Sequence, residues 1–121
     1  QVSWTFNLAE ISGSCRVATS TVLLKLNVVM PVWVDEKQAP QDVRDTWRIY
    51  YGNLKAHQDG HASIAIDAAN RIGTVIDGAT APGSCANLKA SLDATAQQLV
   101  QAMEQAQSRY DETDKTEFGF Q

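Results

Sequence analysis

The sequence predicts an α+β fold: a small antiparallel sheet of two or three strands packed on one long or kinked helix and a second long C-terminal helix. Three observations predict it. Apolar residues alternate near the N-terminus, a β-branched run follows, and from Gln41 onward the apolar spacing changes to threes and fours. Strands kept apart from helices in this way indicate α+β rather than alternating α/β order. With 121 residues, 44% of them apolar, the chain is expected to form one domain, residues 1–121, with a sizeable core.

Trp4, Phe6 and Leu8 alternate with Thr5 and Asn7, the period of a half-buried strand. Ile11-Ser12-Gly13-Ser14 then reads as a turn. From Arg16 to Met30 a second, longer strand is expected, with Val22, Leu24, Leu26, Val28 and Met30 on one face. Pro31 ends it, because proline cannot donate to a sheet ladder. Residues 32–39 read as a connection, and Pro40 suits the first turn of a helix.

From about Gln41 to Asp77 the residues Trp47, Tyr50, Leu54, His57, His61, Ile64, Ala68, Ile72 and Val75 recur at helical spacing, which puts both histidines on the apolar face. Gly52 and Gly60 each weaken such a helix by about 1 kcal/mol relative to alanine, so either can mark a kink or a break. Gly60 also leaves room for another segment or a substrate to approach. Gly78 to Gly83 reads as a loop and Ser84 as the N-cap of a last helix. That helix is expected from Cys85 to about Tyr110, with Leu88, Leu92, Leu99, Met103 and Tyr110 along its core stripe. The acidic run from Asp111 to Glu117 reads by default as a solvated tail. It is also the one dense acidic segment able to fold back and donate a carboxylate.

A net charge of −4 and a pI near 5.0 argue against nucleic acid or an anionic membrane surface as the main partner. No apolar run reaches the length of a membrane span. Cys15 and Cys85 are far apart and lack C-x-x-C spacing. In an exported protein they would form one disulfide closing a loop of about 70 residues, a constraint of roughly 4 kcal/mol. The alternative is two buried free thiols. A chain opening on Gln1 reads as processed or trimmed.

The chemistry concentrates in His57-Gln58-Asp59-Gly60-His61, which holds the only two histidines of the sequence. Four residues is about one helical turn, so both imidazoles project from one face. Two neutral imidazoles so placed can bind one zinc ion, as in the helical His-Glu-x-x-His motif of metallopeptidases. Gln58 stands at the glutamate position. Glutamine can orient a water molecule but cannot take its proton, so the motif reads as a metal site without its general base.

In order along the chain, Trp4, Cys15-Arg16-Val17, Val29-Met30-Pro31-Val32-Trp33, Trp47, Leu54, His57-Gln58-Asp59-Gly60-His61, Cys85 and Tyr110-Asp111 together resemble a bacterial family of predicted secreted zinc-dependent proteases. The resemblance runs from Trp4 to about Gly119. It implies an exported, disulfide-containing, zincin-like domain in which a helical His-Glu-x-Gly-His supplies two zinc ligands and the base. Two departures stand out: Gln58 replaces the glutamate, and the family's Tyr-Asp-x-x-Thr-x-His-Gly has no histidine here after Tyr110.

By that resemblance His57, His61 and one carboxylate hold zinc, which activates water and polarises the scissile carbonyl of a protein or peptide lying along a strand edge. Asp111 ranks first as third ligand, then Glu112 and Glu117. Asp67, ten residues after His57, has the metzincin spacing, but Ile64 occupies the position where that pattern turns on a glycine. Tyr110 is either a donor to the oxyanion or a helix-end tyrosine of the core. The expected function is therefore a secreted or periplasmic zinc endopeptidase-like domain, silenced at Gln58 by design or by descent. The alternative is a non-catalytic relative that binds a protein partner.

Overall fold

The computed structural model describes residues 1–118, with side chains through Asp114. It is α+β: strands β1 (Val2–Ile11) and β2 (Ser14–Leu24), one turn of 3-10 helix at Glu36–Gln38, helix α1 (Gln41–Ile76), strand β3 (Thr80–Pro82) and helix α2 (Cys85–Phe118). The sheet is antiparallel in the order β1-β2-β3. Among the described residues no helix is long and apolar enough to cross a membrane.

The β1–β2 hairpin closes through Ser12 and Gly13, at φ 52° and 80°. Positive φ at both loop residues matches the right-handed twist of the strands it joins, and glycine meets that demand without strain. The second strand is shorter than its pattern predicts, ending at Leu24 rather than Met30. The reason lies in its partner. Val2 pairs with Leu24, the Lys25 N–H donates to the Gln1 carbonyl at 2.8 Å, and no described residue pairs with the backbone beyond that rung. β-branched residues make a strand only where a neighbour takes their backbone groups.

The segment expected to be a loop after α1 holds a third, short strand, in which Ala81 pairs with Cys15. Cys85 follows at once and is bonded to Cys15, with Cα atoms 5.1 Å apart. A disulfide of this kind is consistent with an extracytoplasmic protein. Ser84 begins α2 as an N-cap, its Oγ accepting the Asn87 N–H at 3.4 Å.

The first helix has the bounds expected of it and the second outruns them. α1 is unbroken at Gly52 and Gly60, and α2 continues past Tyr110 through the acidic run to Phe118, so that run is no tail. The helices lie antiparallel, His61 facing Gln107 and His57 facing Asp111 and Asp114. The sheet covers both. Cys15 and Val17 meet Ile72, Ile76, Leu88, Leu92 and Ala96 in the buried core, with Trp4, Phe6 and Val22 packed around them. Trp4 anchors the sheet to α2 through its indole N–H, which donates to Asp93 Oδ1 at 3.1 Å. This core holds the C-terminal half of α1 against the N-terminal half of α2, and so fixes the register of the helices beyond it, where the histidines face α2.

Candidate metal centre

On α1, His57, Gly60 and His61 share one face because they are three and four residues apart. On α2, Gln107, Tyr110, Asp111 and Asp114 do the same. Tyr110 fills the space between the helices. Its ring stacks on the His57 imidazole, with centroids 4.9 Å apart and planes 10° from parallel, and stands edge-on to His61 at 4.8 Å. A Cβ on residue 60 would overlap the Tyr110 hydroxyl and Cζ. The close approach anticipated at Gly60 is therefore made by this ring, in mid-helix rather than at a helix end.

His57, His61 and Asp111 come together, their donor atoms all within 4.8 Å of one another. The imidazole side chains are 14% and 23% exposed and Asp111 is 51% exposed, so the cluster opens to solvent on its carboxylate side. Hydrogen bonds assign both tautomers. The Gln107 Nε2 donates to the His61 carbonyl at 2.9 Å, which turns its Oε1 toward His61 Nδ1, and that nitrogen must then be the donor. His57 Nδ1 lies 2.5 Å from Oδ2 of Asp114, a nearly buried carboxylate that accepts its proton.

Both Nε2 atoms thus keep their lone pairs in the neutral rings, and both face Asp111 Oδ1, at 3.1 Å from His57 and 2.5 Å from His61. Lone pairs of two nitrogens and a carboxylate oxygen repel unless a cation lies among them. A proton on one ring relieves one contact. A single divalent ion relieves all of them. The donor set, two imidazole nitrogens and one carboxylate oxygen, suits zinc and neighbouring transition metals; tetrahedral zinc with bonds near 2.0 Å sets donors about 3.3 Å apart, so the 2.5 Å contact would have to open on binding.

Asp114 and Gln107 are the residues that sequence reasoning missed. Polar partners that hold the far nitrogen of each histidine fix its tautomer and orientation. The available signal was the spacing of Gln107, Asp111 and Asp114, four and then three residues apart, which puts all three on one face of a helix. Glu112 is exposed and outside the cluster. Glu117 lies outside the residues whose side chains are described. Asp67 is paired instead with Arg71 at 2.8 Å.

Gln58 and His61 line a cleft of about 660 Å³ together with Lys25, the segment from Leu26 to Val28 that follows the end of β2, Met103 and Gln107. Its walls carry amide, imidazole and apolar groups and the Lys25 side chain, and among the described residues no carboxylate lines it.

No curated protein and no solved structure gives a significant match to the chain. The family model described as bacterial protein of unknown function (DUF922) does, over residues 1–119, a description that carries no activity. The chain that builds this centre belongs to that bacterial family.

Proposed function

We propose that this chain is an exported, zincin-like zinc-binding domain of the metallopeptidase type, in which His57, His61 and Asp111 hold the ion and Gln58 occupies the place of the base. The observation that carries the reading is the convergence of two imidazole Nε2 atoms on Asp111 Oδ1 while Asp114 and Gln107 engage both Nδ1 atoms. Zinc held there would supply Lewis acidity, polarising a carbonyl and bringing water toward deprotonation near neutral pH.

The chain's own groups divide the remaining work. An extended peptide in the cleft can lie against the backbone of Leu26 to Val28, which has no strand partner among the described residues. The Gln58 amide can orient a water molecule beside His61 but takes no proton from it, and among the described residues no carboxylate lines the cleft to do so instead. Tyr110, with its hydroxyl against Gly60, supports a positioning role: its ring holds the histidine planes in place.

That missing proton acceptor favours a second reading of the same site, a domain that keeps the metal and the peptide cleft but binds without cleaving. Gln58→Glu separates the two. Incubated with a denatured protein mixture and zinc, the variant should cleave where the present chain does not. If the variant stays inert while binding zinc as well as the parent, the non-catalytic reading stands.

A further inference from the structure

Between Gln41 and Leu54 α1 buries no residue, and Trp47 there meets a ring of the segment that precedes the helix. That segment folds back so that the Trp33 and Trp47 rings contact each other edge to face, with centroids 5.7 Å apart and planes 73° from parallel. Tyr50 leans on Trp47 at 5.8 Å and Tyr51 at 6.0 Å. The indoles form a corner. Beside it opens a cavity of about 610 Å³ lined by Trp33, Asp42, Val43, Thr46, Trp47 and Tyr50.

The polar groups of this cavity have one sign. Thr46 Oγ1 is engaged with the Asp42 carbonyl at 3.1 Å, and no described ion pair engages the Asp42 carboxylate. A smaller cavity that shares Trp33 and Trp47 holds Glu36, whose charge is answered by Arg48 at 3.8 Å. The larger cavity is therefore bordered by three aromatic rings and one carboxylate, and both kinds of group attract a cation.

The walls also select the kind of cation. A primary ammonium is strongly hydrated and needs several acceptors to leave water, whereas one carboxylate is offered here. A methylated ammonium holds its water weakly and packs its methyl groups on aromatic faces. A sugar ring stacks on a flat platform and needs donors and acceptors around its rim, which two indoles at 73° and an engaged hydroxyl do not provide.

We propose that the corner of Trp33 and Trp47, completed by Tyr50 and Asp42, binds a trimethylammonium group. The volume left beyond the cage accommodates whatever carries that group. The site is independent of the histidine cluster and stands whether or not metal binds there.

The test is a fluorescence titration of the Trp4→Phe variant, in which only Trp33 and Trp47 report. Choline should give a saturable change, and ethanolamine and the neutral tert-butyl analogue of choline should give none at the same concentrations. Asp42→Asn should weaken choline binding about fivefold. Trp47→Ala should abolish it, and Tyr50→Leu provides a gentler loss of one wall, with circular dichroism to confirm folding. Co-sedimentation with phosphatidylcholine but not phosphatidylethanolamine vesicles would assign the group to a lipid, and binding of free choline alone would assign it to a soluble molecule. An equal response to the neutral analogue, no saturable response to choline, or a dimer that buries Trp47 would overturn the proposal.

Discussion

Gln107 holds His61 at two points, donating its amide N–H to the His61 carbonyl and accepting the proton of its Nδ1. One side chain thereby ties a histidine's backbone, tautomer and ring plane to the opposite helix. Gln107→Ala should lower zinc affinity about 10- to 100-fold, the usual effect of removing a partner of a metal-bound histidine. Gln107→Glu, which keeps the acceptor and loses the donor, should lose less. Competition with a chromophoric zinc chelator measures both; unchanged affinity in Gln107→Ala would show that the contact does not orient the ligand.

At Gly60 the Tyr110 ring of α2 comes directly against α1. Gly60→Ala gains about 1 kcal/mol of helix propensity. It also drives a methyl group into Tyr110, whose ring is held against both imidazoles, and such overpacking costs about 1–3 kcal/mol. A net loss of stability is expected, together with weaker metal binding. Adding Tyr110→Ala should remove most of the penalty, so the two substitutions should be far from additive in urea unfolding. Simple additivity would place the clash elsewhere.

The Cys15–Cys85 bond closes a separation of 70 residues. Replacing both cysteines by serine should remove roughly 4 kcal/mol of stability. The cluster lies roughly 40 Å along α2 from Cys85 at helical rise, so zinc affinity of the folded fraction should be unchanged. Thiol titration of the unfolded, non-reduced parent should find no free sulfhydryl.

Asp93 accepts hydrogen bonds from Lys89 and from the Trp4 indole, and these hold its carboxyl below the ordinary value of 3.8. A carboxylate with a lowered folded pKa stabilises the fold at pH above its unfolded value, and that contribution is lost as pH falls through the folded value. Asp93→Asn should therefore be less stable than the parent at neutral pH, with the difference closing in acid. The effect should be small because the group is largely solvated. Thermal unfolding across pH reads it out, and a gap that persists undiminished in strong acid would show that the lost interaction is not carried by the charge.

Much of this fold is legible in the sequence where a local rule and the tertiary environment agree. Trp4, Phe6 and Leu8 alternate and form β1; Ser12-Gly13 turns; the long spacing of threes and fours forms α1. The histidine pair is legible for the same reason, because a four-residue spacing on a helix fixes a shared face. What escapes is set by partners. Leu26, Val28 and Met30 have strand-like residues around them but no neighbouring strand, and Thr80–Pro82 is a strand only because Cys15 lies beside it. The acidic run is helical where Asp111 and Asp114 dock on His57. Its composition, read alone, speaks for solvent.

The central claim is that metal binding and proton transfer come apart in this chain, the first belonging to His57, His61 and Asp111 and the second to a glutamate that position 58 lacks. Calorimetric titration of metal-stripped protein with zinc at neutral pH tests it most directly. The account predicts one site per chain, abolished in His57→Ala with His61→Ala, weakened in Asp111→Ala, and essentially unchanged in Gln58→Glu. Zinc uptake no greater than that of the double-histidine variant would contradict it.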